Sequence, residues 1–215
     1  MTDPILSGTP ESWTRLPVQT LFSLSKSELE SLQLHWAQTR FQQLQEHIPA
    51  LDALAEKQGV KIITDFETLA TILFTHQVYK NYPFAFIERK LFTELTRWLN
   101  KLTAHDLSSL DMRGVNTIDE WLTRLDEAGM FVFHSTGTSG KLSFFPRSQT
   151  EKEAWVEGTY TFLEAFMPGI RNLHLPVFWP AYRSGRQASM RLITHFGPAL
   201  AGSEAEYHSL FNAPM

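Results

Sequence analysis

The chain has 215 residues, of which 43% are hydrophobic and 13% aromatic, and its formal net charge at pH 7 is -4. This apolar content is sufficient for a packed core, and the slightly negative charge does not favour a nucleic-acid-binding surface. The chain contains no cysteine, which excludes disulfides, thiolate metal sites and a cysteine nucleophile within it. Because no signal peptide and no apolar run of membrane-spanning length is visible, we expect a soluble, cytoplasmic protein.

The first part of the chain, residues 1–128, has the sequence pattern of several packed helices. Capping boxes, in which a Ser or Thr side chain and a Glu side chain three residues later satisfy each other's backbone amides, mark three helix starts. Apolar residues at helical spacing follow each box. The predicted helices run from a box at 25–28 up to Pro49, from a box at 64–67, over 91–102, and from a box at 117–120 to Gly129.

The pattern changes after Gly129, where short apolar runs alternate with helical segments. Strands are predicted at 130–133, 142–145 and 173–178, and helices from a capping box at Ser148 and from Met190 to Gly197, with a turn at 183–186. Residues 198–215 give no clear pattern. This alternation is typical of an α/β layer. We therefore predict an α/β fold in which a helical N-terminal region (1–128) precedes a partial α/β nucleotide-binding region (129–215), and the two form one incomplete larger domain.

The segment "HSTGTSGKLSFFPRS", residues 134–148, has the composition of a phosphate-binding loop. Gly137 and Gly140 allow backbone amides to approach a phosphate closely, and Lys141 supplies a cation. Short hydroxyl groups come from Ser135, Thr136, Thr138 and Ser139. Two common phosphate motifs are excluded, because Ser135 stands where the Walker loop requires glycine and because the loop leads into a strand rather than a dinucleotide-binding helix.

The six residues Thr136-Gly137-Thr138-Ser139-Gly140-Lys141 resemble the phosphate loop of the adenylate-forming (acyl-activating, AMP-binding) enzymes. The continuation with Leu142 and Ser143, without the Pro and second Lys of long acyl-CoA synthetases, is more similar to the phenylacetate-CoA ligase and acyl-protein synthetase branches. The upstream segment "HQVYKNYPFAF", residues 76–86, and the helix predicted from Gln149 also resemble that arrangement. The resemblance covers about residues 60 to 200, and only the loop is specific.

The resemblance implies a ligase that uses ATP and Mg²⁺ to convert a small-molecule carboxylic acid into an acyl-adenylate. It implies that residues Thr136, Gly137, Thr138, Ser139, Gly140 and Lys141 bind the β- and γ-phosphates. Lys141 would be the catalytic residue, balancing the charge that develops on the departing pyrophosphate. No protein nucleophile is needed, because positioning and electrostatic stabilisation carry the reaction.

Several alternatives stay open from the sequence. The family's adenine-binding, Mg²⁺-binding and ribose-binding motifs have no counterpart before Met215, so either the chain is a piece of a longer enzyme, or a partner chain completes the site, or the chain is a degenerate relative. The first alternative is a non-catalytic nucleotide- or anion-binding module, and the second is a helical interaction protein whose glycine loop is a plain hairpin turn. Tyr79, Lys80 and Tyr82 either line a cleft or mark a bend before Pro83. The arginines at 183 and 186 either bind an anion or lie in a surface turn.

Overall fold

The computed structural model describes residues 8–137 and 140–214, and over this part the chain is a mixed helical and sheet structure. Helices account for 54% of the residues, and the strands form two small, two-stranded sheets. The general α/β class predicted from the sequence is therefore confirmed. Within these described ranges, no helix is long and apolar enough to cross a membrane.

Most of the described elements are α-helices, and all of these except α9 and α10 come before the glycine-rich loop. The α-helices are α1 (Pro10–Trp13), α2 (Val18–Phe22), α3 (Lys26–Leu44), α4 (Pro49–Gln58), α5 (Phe66–Thr71), α6 (Ala85–Glu88), α7 (Phe92–Leu99), α8 (Ile118–Glu127), α9 (Gln149–Phe166) and α10 (Ala188–Ala201). Short 3-10 helices lie at Gln45–His47, Val78–Lys80, Asn100–Leu102 and Ile170–Asn172. The strands are β1 (Met130–His134), β2 (Phe144–Ser148), β3 (Val177–Ser184) and β4 (Tyr207–Pro214).

Two of the predicted helix starts are confirmed at the predicted residue. The Ser25 hydroxyl accepts a hydrogen bond from the Glu28 amide, and the Glu28 carboxylate accepts one from the Ser25 amide at 2.9 Å, which completes the capping box. Thr117 is likewise the N-cap residue of its helix, α8. The prediction at 64–67 is wrong by one residue, because Asp65 is the cap and its carboxylate accepts from the Thr68 amide at 2.7 Å. A carboxylate is a strong acceptor for these free amides, so it is preferred over the neighbouring hydroxyl.

The predicted elements after Gly129 exist, but several of their bounds are wrong. The second strand is 144–148 instead of 142–145, the third is 177–184 instead of 173–178, and residues 207–214 form a strand that had no predicted counterpart. The last helix continues past Gly197 to Ala201. Gly197 is needed for packing, because a Cβ atom there would lie 2.5 Å from the Tyr207 ring. Glycine inside this helix therefore marks a close approach to β4, and it does not end the helix.

The chain folds as two compact units that interleave along the sequence. The first unit comprises Ser25–Val132 and Gly137–Ser148, and the second comprises Met1–Leu24, Phe133–Thr136 and Gln149–Met215. The first strand, β1, begins at Met130, directly after the predicted boundary between residues 128 and 129. Whether this boundary separates two domains stays a prediction.

The first unit has a hydrophobic core built around the fully buried Trp121. The Trp121 indole Nε1–H donates to the Thr96 hydroxyl at 2.8 Å, and that hydroxyl donates to the Phe92 carbonyl oxygen. The Phe144 ring, at the start of β2, packs edge-on against Trp121 with ring centroids 5.0 Å apart. Because Phe144 is fully buried, the core fixes the chain immediately after the glycine-rich loop.

The second unit contains a β-α-β arrangement in which β3 and β4 are parallel and α10 connects them. Val177 pairs with Tyr207 at the start of the register. The Arg183 guanidinium donates to the Tyr207 carbonyl oxygen at 2.6 Å and lies over the Tyr207 ring. Arg183 therefore ties β3 to β4, which gives it a structural role and contradicts the interpretation of this residue as part of a surface turn.

Candidate phosphate-binding loop

The glycine-rich loop contains two residues whose backbone conformation requires glycine. Gly137 has a φ of +71° and Gly140 a φ of +82°, a region that residues with a Cβ atom rarely adopt. A Cβ atom at position 137 would also lie 2.9 Å from Cδ2 of Leu142. The Gly140 amide donates to the Gly137 carbonyl oxygen at 2.8 Å. Both positions therefore have a backbone conformation that favours glycine, and a hydrogen bond links them.

The structure places the predicted phosphate-binding residues in different settings. The Gly140 amide already donates to the Gly137 carbonyl oxygen, so in this conformation it is not offered to a ligand. Thr136 is exposed and belongs to the second unit, whereas Gly137, Gly140 and Lys141 belong to the first. Thr138 and Ser139 lie outside the described residues. The Lys141 ammonium is the group in the described part of the loop that is most directly suited to bind a phosphate.

Lys141 is held by Tyr82, which lies 59 residues earlier in the chain. Its ammonium group donates a hydrogen bond to the Tyr82 carbonyl oxygen and lies 4.3 Å from the centroid of the Tyr82 ring. An ammonium group has three N–H donors, so one bond to a carbonyl leaves two for a ligand. Burial lowers the pKa of Lys141, and the positive charge of Lys80 lowers it further. The carbonyl and the ring face stabilise the cation without neutralising it.

Tyr82 is itself fixed from several sides. Its side chain is fully buried, and its hydroxyl donates to the Leu142 carbonyl oxygen at 2.9 Å. Its ring contacts Trp98 and Phe144, with centroid distances of 4.9 and 5.5 Å. Burial raises the pKa of Tyr82 to about 12, so the hydroxyl stays protonated and able to donate at neutral pH. Tyr82 thus holds the two consecutive residues that end the loop.

The sequence analysis gave Tyr82 as a candidate residue but did not predict its contact with Lys141. The sequence interpretation left open whether Tyr79, Lys80 and Tyr82 line a cleft or mark a bend before Pro83, and this stays a prediction. The structure shows that Tyr82 is fully buried and contacts Lys141. No local pattern relates positions 82 and 141, because the contact depends on the packing of the whole first unit. The one available signal was the resemblance of residues 76–86 to the segment that precedes the loop in adenylate-forming enzymes.

The Mg²⁺ that the resemblance implies would need carboxylate oxygens as ligands. Within residues 8–137 and 140–214, no three His, Asp or Glu side chains come together in a group that could hold a metal ion.

Comparison with known proteins gave no relatives: no protein-family model matches the chain, and neither the curated proteins nor the solved structures contain a match. The resemblance to adenylate-forming enzymes therefore depends on the loop sequence and its setting between two strands. It stays a hypothesis about function.

Proposed function

We propose that the loop at residues 136–141 binds the β- and γ-phosphates of ATP in an enzyme that activates a carboxylic acid as an acyl-adenylate. The observation that carries this proposal is the Lys141 ammonium, which follows two glycines of positive φ and, among the described residues, has two N–H donors beyond its bond to Tyr82. A cation beside a glycine turn is the combination that polyphosphate recognition requires.

The proposed reaction transfers the adenylyl group of ATP to the acid. A carboxylate oxygen forms a bond with the α-phosphorus, the bond from that phosphorus to the bridging oxygen breaks, and pyrophosphate leaves with the electron pair. Lys141 would stabilise the negative charge that accumulates on the pyrophosphate. The two glycines would let the chain approach the phosphates without steric conflict. Groups that bind adenine, ribose and Mg²⁺ would come from another segment or from a partner chain.

The contact with Tyr82 supports this role for Lys141. A lysine held by a carboxylate would have its charge neutralised, and a phosphate would have to displace that partner. A carbonyl oxygen and an aromatic face orient the ammonium without bringing a negative charge to it. Partial burial strengthens the attraction between this charge and an incoming phosphate, because the surroundings screen it less than water does.

The proposal is tested by carboxylate-dependent exchange of radioactive pyrophosphate into ATP. The assay uses the protein from its own cells with any chain that copurifies, and a broad panel of carboxylic acids. We expect exchange with at least one acid and a loss of at least about a hundredfold in Lys141→Ala, as for other groups that stabilise transition-state charge. Absence of exchange with every acid would refute the proposed reaction. Nucleotide binding without exchange would instead support the non-catalytic binding module.

A further inference from the structure

The segment that carries Lys80 packs along the glycine-rich loop. The Tyr79 ring lies 4.7 Å from the Phe145 ring, and Tyr82 contacts Lys141 and Leu142 as described above. Lys80 ends the short 3-10 helix Val78–Lys80, between these two anchored tyrosines. Because the residues on both sides of Lys80 are fixed against the loop and β2, the backbone position of Lys80 is fixed relative to Lys141.

Lys80 and Lys141 carry like charges, and no carboxylate among the described residues pairs with either. Lys80 is two residues from Tyr82, whose carbonyl oxygen accepts the hydrogen bond from the Lys141 ammonium, and the positive charge of Lys80 lowers the Lys141 pKa. Throughout the described ranges, neither ammonium group forms an ion pair with a carboxylate. Two neighbouring positive charges repel each other. An anion bound between them attracts both and offsets that repulsion. Such an arrangement is typical of an anion-binding site.

We propose that Lys80 is a second phosphate-binding residue, which together with Lys141 grips the terminal pyrophosphate moiety of a nucleoside triphosphate. The inference rests on the proposed function of the loop and adds to it the segment that completes the cationic side of the site. Two ammonium groups present up to six N–H donors, which suits a moiety with several charged oxygens better than a single phosphate. Lys80 would therefore favour ligands that carry the β- and γ-phosphates.

The test is a calorimetric titration of the chain with inorganic pyrophosphate, in the wild type and in four variants. Lys80→Met removes the proposed contact, Lys80→Arg keeps the charge, and Lys141→Met removes the loop cation. Lys61→Met is the matched control, because Lys61 is an exposed lysine of the same unit. Urea unfolding of each variant verifies that the fold is retained.

We expect Lys80→Met to weaken pyrophosphate binding by about tenfold or more, the value of one charged hydrogen bond. Lys80→Arg should stay within about threefold of the wild type, since guanidinium also binds phosphate, and the Lys61→Met control should bind as the wild type does. If Lys141→Met loses binding and Lys80→Met does not, the role of Lys80 is refuted and the proposed function stands. If the wild type binds no pyrophosphate, both fail. Equal losses in Lys80→Met and Lys61→Met would refute a specific contact.

Discussion

Replacement of Tyr82 by phenylalanine tests whether this residue holds the end of the glycine-rich loop. The substitution removes the hydroxyl that donates to the Leu142 carbonyl oxygen at 2.9 Å, and it leaves the buried ring and its aromatic neighbours in place. The lost hydrogen bond and the unpaired carbonyl oxygen together cost about 1–2 kcal/mol. We expect the free energy of unfolding to fall by that amount, as measured by urea unfolding at pH 7.

The matched control for this experiment is Tyr160→Phe. Tyr160 also contacts an aromatic ring, with its centroid 4.4 Å from that of Phe196, and within residues 8–137 and 140–214 its hydroxyl forms no hydrogen bond. Its loss should change the free energy of unfolding by less than about 0.5 kcal/mol. Equal effects of the two substitutions would refute the view that the Tyr82 hydroxyl fixes the loop.

The pH dependence of stability gives a second measurement on Tyr82. Burial raises the pKa of Tyr82 to about 12, whereas an unfolded tyrosine titrates near pH 10. The folded state therefore holds this proton more tightly, so the stabilisation is complete below pH 10 and is lost as the pH rises from 10 to 12. Tyr82→Phe should lack this loss of stability between pH 10 and 12. The expected result is that wild type and variant converge in stability over that range, and parallel curves would contradict it.

Two further predictions concern the core and the charge of the loop. Thr96→Val leaves the buried Trp121 N–H without its acceptor and should lower the free energy of unfolding by about 1–3 kcal/mol, whereas Thr39→Val, which removes a similar bond to the preceding helical turn, should cost less than about 0.5 kcal/mol. For Lys141, NMR titration of its side-chain carbon should give a pKa below the usual lysine value. In Lys80→Met the Lys141 pKa should rise without reaching that value, because burial still lowers it. An unchanged Lys141 pKa in that variant would show that the two charges do not interact.

The elements that the sequence predicts best are those with a local chemical signal. Ser25 and Thr117 lie at helix starts because a side chain three residues away completes the cap, which is a relation within one turn. Strand bounds are less accessible, because pairing partners lie far apart in the chain. The strand at 207–214 pairs with β3 across the helix between them, and the register beginning with Val177 and Tyr207 has no local counterpart.

In the candidate site too, some features can be predicted from the local sequence and others depend on contacts between distant residues. Gly137 and Gly140 stand out in the sequence, and the structure gives both the positive φ that such glycines serve. The partner of Lys141 could not be read from the loop, because Tyr82 reaches it through the packing of the first unit. Sequence therefore predicts the turn, and tertiary structure determines where the turn's cation is held.

The most direct test of the central claim is a ³¹P NMR titration of ATP with this chain. If the loop binds the terminal phosphates, the β- and γ-phosphorus resonances should shift more than the α resonance, because Lys141 interacts with those groups. The shifts should be absent or much smaller with Lys141→Ala at the same protein concentration. Unchanged phosphorus resonances, or shifts that persist fully in Lys141→Ala, would contradict the account.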